Sequence, residues 1–504
     1  MLEEILTSDQ MKRCDSFTID KKGISSRKLM ERAAEAVVSE ILKSDFDISR
    51  VVLLCGGGNN GGDGFACARF LAQRARERGI DSSIATVFLG KDGKESTECA
   101  YQRSKALGSG INEVSDPDID SATLIVDAIF GIGLTRNIEG DIASLIGRVN
   151  ISKAKVVSID IPSGINADTG AVMGIAVNAD MTVTIARKKL GVLLFPGAEK
   201  CGKLIRVDIG IETEALVHEN KVFSSERIPF PMPKRSPSSN KGDFGKILIV
   251  GGAENMAGAV YLSALAAYRS GAGLVRIFTT KKNRTILQTL IPEAVLITYG
   301  SDEEIPKILT PCVNDSNSVV IGPGLSKSPA ARLMLETVLK SAKKPLIIDA
   351  DALNIISEDP NVWRLVGRNA VITPHMGEMS RLTGKSIDIL KENAVKNALE
   401  FAEEKGIVCC MKDASTVISD GKRVYINRSG CSALSKGGSG DVLTGVIAAL
   451  SAAKKDIFES SCMGSYLHGR AGAIAAEKRT EYSLLARDIA ENISEAIMKE
   501  LQSL

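Results

Sequence analysis

The sequence predicts two α/β units in tandem, each a largely parallel sheet covered by helices on both faces. Three observations lead there. From residue 51 onward, short Val/Ile/Leu runs alternate with amphipathic helical stretches, and a sheet buried on both faces needs such continuous apolar strands. The pattern breaks at Ser225–Asp243, where Pro229, Pro231, Pro233 and Pro237 fall within nine residues, and then restarts. Finally, 504 residues exceed one ordinary core; domain-size statistics suggest roughly two to four domains. The expected division is a first domain over 1–224, a proline-rich linker over 225–240 and a second domain over 241–504. No repeat relates the halves.

Each element follows from local pattern. A leading helix is expected over about Ser25–Leu42. VVLLC at 51–55 reads as a buried strand that stops at glycine, and FACARFLAQRARERG at 65–79 has apolar residues at helical spacing and a glycine stop. IATVFLG, TLIVDAIFG, VVSIDIP, MTVTIA and LIRVDIGI follow as strands. The proline segment can neither hold a helix nor pair as a central strand, so it reads as a linker. Beyond it, KILIVGGA, LVRIFTT, AVLITYG, SVVIGPG, PLIIDAD, AVITP and IVCCMK read as strands. Asp420–Gly421 between two alternating runs is a hairpin signal. Helices close the chain around Gly440–Ala452 and Phe458–Glu477.

Composition excludes several classes of function. Lys plus Arg total 63 against 61 Asp plus Glu, and aromatics are only 4%. A balanced charge gives no field for nucleic acid, and few rings give no stacking surface. Ten cysteines are scattered without a CxxC pair, and histidine is limited to His218, His375 and His468, so no clustered zinc ligands are expected. The start is acidic and polar, unlike a signal peptide, and no apolar run reaches the ~18 residues of a membrane span. A cytoplasmic protein with no membrane partner is the expectation.

In the first half, GGGNNGGDG (56–64) follows a strand and opens a helix. Ligands in open α/β sheets bind at strand carboxyl ends, where a helix N-terminus offers N–H donors. Packing alone explains glycines there, but not Asn59, Asn60 and Asp63 together. Asp127, Asp160 and Ser163 stand at two further strand ends. Three such ends could converge on one pocket, and their amide, carboxylate and hydroxyl oxygens would suit a hard cation. GGGNNGGDG, DAIFGIGLTRNIEG and DIPSG together resemble the NAD(P)HX epimerase family, over residues 1–220 and in the family's order. The resemblance implies a Rossmann-like three-layer domain and potassium held by Asn60, Asp127 and Ser163. It further implies a hydrated dihydronicotinamide substrate lined by Asn59, Asn60, Gly61, Gly62 and Asp63, by Gly131, Ile132, Gly133, Leu134, Thr135, Arg136 and Asn137, and by Asp160. Asp160 would move the proton, since opening and reclosing a carbinolamine-like centre needs a positioned acid/base.

In the second half, SKGGSGDVLTGVIAAL (435–450) leads three glycines straight into an apolar helix with Asp441 at its start. Backbone N–H groups there can face a developing anion. A cap alone would not need glycines at 437, 438 and 440, which cost backbone entropy. IGPGLS, IIDADALN, TPHMGEMSRL and MKDAST each follow an apolar strand run; His375 taken alone would read as a partly exposed cap. With KGDFG and GGAENMAGA, these segments resemble the NAD(P)HX dehydratase family of the ribokinase superfamily over residues 235–504. That resemblance implies a ribokinase-like α/β domain in which Lys412, Asp413, Ala414, Ser415, Thr416 and Gly440 contact a nucleotide. Ala259, Gly324, His375 and Asp441 would contact the hydrated cofactor.

The implied chemistry is ADP- or ATP-dependent dehydration of NADHX and NADPHX, with Asp441 as base and Mg2+ on the phosphates. An epimerase-first fusion points to ADP, and the family to a homo-oligomer. The alternative is a small-molecule kinase of the ribokinase superfamily fused to a non-catalytic binding domain.

Overall fold

Seven parallel strands build the first sheet, in the spatial order Asn112–Glu113, Ser83–Phe88, Arg50–Cys55, Leu124–Ala128, Lys155–Ile159, Met181–Ile185 and Lys203–Val207. Alternate residues of the central strand enter different cores: Val51, Leu53 and Cys55 pack with Val37, Ile41, Phe65 and Leu71, whereas Val52 and Leu54 pack with Leu145, Ile146 and Val149. Helices Ser26–Lys43 and Asn59–Glu77 cover one face and Gly140–Ile151 the other. The chain leaves Arg50–Cys55 toward one edge and returns at Leu124–Ala128 on its other side. The crevice at that reversal is where open α/β sheets hold ligands.

The computed structural model describes residues 2–217, 219, 221–359, 361–453 and 456–502, so His218 lies outside the described residues. The chain divides into Glu4–Glu219 and a second unit of Asn220–Leu504 with Met1–Glu3. The division falls before the sequence boundary at 224, because Lys221–Ser224 pairs in parallel with Arg423–Asn427.

In the second unit, the strand following Lys221–Ser224 and Arg423–Asn427 is Thr416–Ser419, then Val408–Met411, Ala370–Ile372, Leu346–Ile348, Ser318–Ile321, Lys246–Val250, Leu274–Thr280 and Val295–Tyr299. The expected hairpin is present: Thr416–Ser419 runs antiparallel to Arg423–Asn427, with Gly421 at a φ of 85°. Lys246–Val250 sits between its partners Leu274–Thr280 and Ser318–Ile321, a second reversal point. Helices Ala257–Arg269 and Ser439–Ala452 pack Val260, Ala264, Leu443 and Ile447 onto the sheet residues Ile247, Ile249, Val320 and Ile347. Both units thus have the α/β class expected of them.

Three features depart from expectation. Helix Ser8–Lys22 was not foreseen, because only Met11, Cys14 and Thr18 are buried on a mostly polar sequence. Its local signal was a capping box, Thr7 with Gln10. Helix Ala486–Gln502 was also missed. The proline segment carries no helix or strand over 225–240, yet it is no free linker. Ile228 is buried and its N–H donates to Glu500 Oε2 at 2.9 Å, while Phe230 packs against the core. Prolines removed ladder donors without removing the apolar anchors between them.

Candidate active sites

The first unit holds a cavity of about 500 Å3 at its reversal point, a size suited to a small-molecule site. Gly57, Gly58, Asn59, Asn60 and Asp63 line it from the glycine loop, Ile129–Leu134 from the loop after Leu124–Ala128, and Asp160 from the next strand end. Met11, Lys12, Asp15 and Ile19 of the first helix line it as well.

Beneath the loop, Asp127 is fully buried. Its carboxylate accepts from Ser158 Oγ at 2.8 Å, Ser163 N–H at 2.8 Å and Ser163 Oγ at 2.5 Å. Burial pushes this carboxyl up, against the pull of the Ser163 and Ser158 donors. The Phe130 carbonyl accepts from Asn60 Nδ2 at 3.1 Å and from Ser163 Oγ at 3.2 Å. Asn60, Asp127 and Ser163 are therefore joined in one oxygen-rich knot. Carboxylate, hydroxyl, amide and carbonyl oxygens without thiolate or imidazole form a donor set that fits a hard cation.

A separate charged cluster faces the cavity. Asp160 adopts a φ of 68°, unusual for a residue with a side chain. Its Oδ1 accepts from Ile185 N–H at 3.0 Å, from Thr184 Oγ1 at 3.3 Å and from the Lys189 ammonium. Lys189 is 1% exposed and also donates to the Ile185 carbonyl at 2.8 Å. Asp63 is pushed well above the carboxylate range by burial and by the Asp160 and Asp15 charges. Burial likewise lifts Asp15 to about 6, although Lys189 opposes it. Asp15 and Lys189 were not legible as site residues, because no motif surrounds either.

The glycines divide into two kinds. Gly61 and Gly62 are buried helix residues that do not line the cavity, whereas Gly131, Ile132, Gly133 and Leu134 do. Thr135, Arg136 and Asn137 lie beyond the lining. A Cβ on Gly61 would stand 1.8 Å from the Gly56 carbonyl oxygen, but one on Gly133 would meet nothing within 4 Å. Gly61→Ala is therefore expected to destabilise the unit by ~1–3 kcal/mol or more. Gly133→Ala should stay within ~0.5 kcal/mol of the wild type. Thermal melting of the two variants checks the contrast.

In the second unit, Gly438 caps helix Ser439–Ala452 with a φ of 90°, a backbone shape that favours glycine. Asp441 stands in the first turn, and burial with the Asp349 charge pushes its carboxyl up to about 7. Below it, Lys412 Nζ donates to Asp349 Oδ1 at 2.9 Å. A Cβ on Gly440 would meet Lys412 Nζ at 3.2 Å and Asp349 Oδ2 at 3.4 Å, so the glycine seats the helix on the ion pair. Glu378 is buried and lifted to about 7 by burial, with Lys412 opposing.

His375 is a cap, as its residue type alone suggested. Its Nδ1 accepts from Gly377 N–H at 3.0 Å and Glu378 N–H at 3.3 Å, and Glu378 Oε2 accepts from His375 N–H at 2.8 Å. Its side chain is nonetheless 56% exposed, and burial with the Lys412 and Arg381 charges holds its pKa down. An unprotonated ring with Nδ1 committed leaves Nε2–H to donate. Ala259 and Gly324 are neighbours, a Cβ on Gly324 lying 3.1 Å from that of Ala259. Asp413 and Ala414 are exposed, Ser415 is buried and Thr416 opens the hairpin. Asp349 and His468 were not anticipated as parts of this site. His468 is buried behind the glycine turn with Nε2 3.1 Å from Ser439 Oγ, and burial lowers it to about 4.

Comparison with known proteins divides the chain as the structure does. The family described as YjeF-related protein N-terminus matches residues 26–191, and that described as NAD(P)H-hydrate dehydratase matches residues 247–495. A bifunctional NAD(P)H-hydrate repair enzyme of Thermofilum pendens is 34% identical over 97% of this chain and 95% of its own length. The Escherichia coli enzyme of the same name is 33% identical over 98% of this chain and 94% of its own. Among solved structures, an ADP/ATP-dependent NAD(P)H-hydrate dehydratase of Bacillus subtilis, co-crystallised with ATP and Mg2+, is 27% identical. The match covers 53% of this chain and 94% of that one, with a TM-score of 0.46.

Proposed function

The chain belongs to the bifunctional NAD(P)H-hydrate repair enzymes, and from that premise we propose how its two units share the work. Residues 4–219 interconvert the R and S epimers of hydrated NADH and NADPH. The second unit dehydrates the S epimer to NAD(P)H with a nucleotide as co-substrate, ADP by preference. One observation carries the reading: each of the two matched segments places a carboxyl at a strand end or glycine turn, Asp160 lining the first cavity and Asp441 raised by burial to about 7 in the second unit.

In the first unit, Asn59, Asn60, Asp63 and the loop Gly131–Leu134 hold the hydrated ring, with Thr135, Arg136 and Asn137 on its outer part. Asp160, fixed by Lys189, takes the proton. Asn60, Asp127 and Ser163 would hold potassium, whose charge would steady the loop that lines the cavity. In the second unit, Ala259, Gly324 and His375 position the hydrated cofactor, and Lys412–Thr416 with Gly440 take the nucleotide. Asp441 removes the hydroxyl proton as that oxygen attacks the terminal phosphoryl. Phosphate then departs with the C–O bond electrons, which hydroxide does poorly. Mg2+ would accompany the nucleotide, and carboxyls of this cluster would supply the oxygen donors such an ion takes. By likeness to the family, the enzyme is cytoplasmic and homo-oligomeric; among the described residues, no helix is long and apolar enough to cross a membrane.

The test is recovery of dihydronicotinamide near-ultraviolet absorbance from mixed-epimer hydrated NADH, with ADP, ATP or neither. Full recovery with ADP is expected. Recovery that stops at one epimer's share removes the epimerase. Strict dependence on ATP reverses the nucleotide preference. No recovery with either nucleotide points to a small-molecule kinase.

A further inference from the structure

The first cavity contains more acid/base chemistry than Asp160 supplies. Met11, Asp15 and Ile19 recur every fourth residue on helix Ser8–Lys22 and all line the cavity, so one face of this helix forms a wall. The helix is fixed there: Ser8 N–H and Oγ each donate to Asp168 at 2.6 Å, and Glu212 N–H donates to Thr18 Oγ1 at 3.0 Å. Asp160 stands on a different wall, at a strand end, with Oδ1 occupied and Oδ2 free of hydrogen bonds from the described residues. Asp15 has no hydrogen-bond or ion-pair partner among the described residues and opens onto the cavity.

We infer that Asp15 is the second acid/base group of epimerisation, serving the face of the substrate carbon that Asp160 does not. The inference rests on the reading of this unit as an epimerase. R and S epimers carry the hydroxyl on opposite faces of the ring, so a single anchored carboxyl is placed for one of them only. Asp160 takes the hydroxyl proton of one epimer. The C–N bond then breaks, leaving an aldehyde, and its electron pair passes to the ring nitrogen and the conjugated carboxamide. After the aldehyde turns over, the nitrogen re-forms the bond on its other face, and the oxygen takes a proton from Asp15. One proton has entered Asp160 and one has left Asp15; exchange with water resets both, and no oxidant or co-reactant is needed. Burial lifts the Asp15 carboxyl to about 6, so it holds or yields a proton near neutrality. Burial also pushes the Asp63 carboxyl well above the carboxylate range, with the Asp160 and Asp15 charges adding to the effect.

The experiment uses the full chain with potassium present and follows conversion of one purified epimer to the other by chromatography. Asp15→Ala is expected to lower kcat by ~10^2–10^4-fold. KM should change less than about threefold, because a group acting in the transition state leaves ground-state binding largely intact. Added formate should restore part of the rate in a concentration-dependent way, and Asp15→Glu should retain more activity than Asp15→Asn. Nucleotide-dependent dehydration of the S epimer by the same variant preparation, together with an unchanged melting curve, reports intact protein. If Asp15→Ala does not fold, the near-isosteric Asp15→Asn gives the same kcat reading. Wild-type kcat in either variant overturns the inference, as does a loss confined to KM that formate cannot relieve. A wild-type chain that does not epimerise overturns the reading of the unit itself, and the inference with it.

Discussion

Asp441→Asn is expected to lower dehydration by ~10^2–10^4-fold, the contribution of a positioned general base, while the first unit's epimerisation continues. The substitution keeps shape and removes only the capacity to accept a proton. In the wild type, burial and the Asp349 charge raise this carboxyl from 3.8 to about 7. A base works only when ionised, so dehydration should fall about tenfold per pH unit below ~7. The stability effect has the opposite sense. A folded-state pKa raised above the unfolded value gives stability that is complete below pH 3.8 and is lost as pH rises toward about 7. Asp441→Asn escapes that loss. Its melting temperature should match the wild type near pH 3.5, rise above it progressively up to about pH 7, and keep a constant advantage beyond. Paired activity and melting profiles read both effects. A variant that dehydrates at the wild-type rate would remove Asp441 from the mechanism.

Asp160→Asn should stop epimerisation by a comparable factor, ~10^2–10^4, and should also weaken the fold. Lys189 is 1% exposed, and among the described residues its ammonium otherwise donates to the Thr184 hydroxyl at 3.4 Å and the Ile185 carbonyl at 2.8 Å. Removing the direct partner of this buried pair leaves the Lys189 charge offset by the Asp15 carboxylate without an ion-pair contact, at a cost of up to ~3–5 kcal/mol. Asparagine tolerates the positive φ of this position, so the backbone contributes little to the loss. The two effects separate in the double variant Asp160→Asn with Lys189→Met. An apolar side chain at 189 should restore most of the stability, and epimerisation should remain absent. Recovery of epimerisation along with stability would mean that Asp160 acts by holding the fold rather than by moving a proton.

Much of this site could be read locally. Asn59, Asn60, Asp63 and Asp160 sit in strings that follow strands, and a strand's carboxyl end is where a ligand can be met, so motif and place coincide. Gly61 has a packing reason as well, the 1.8 Å approach that an added Cβ would make to the Gly56 carbonyl. Asp15 escaped notice because its helix buries only a narrow stripe and precedes every motif. Lys189 and His468 lie outside every motif, and Asp349 lies within IIDADALN but meets Lys412 across 63 residues of sequence.

The sequence by itself determined the α/β class, the two units, most strands and the loops that line the first cavity. Those properties follow from apolar periodicity and glycine placement, which act over a few residues. Only the tertiary structure decided that Lys189 meets Asp160, that Lys412 meets Asp349, and that a helix face brings Asp15 to the cavity. Such pairings depend on strand order across a sheet and on which helix covers its end. Burial then raised the Asp15 and Asp441 carboxyls, and burial is a property of packing that no local pattern contains.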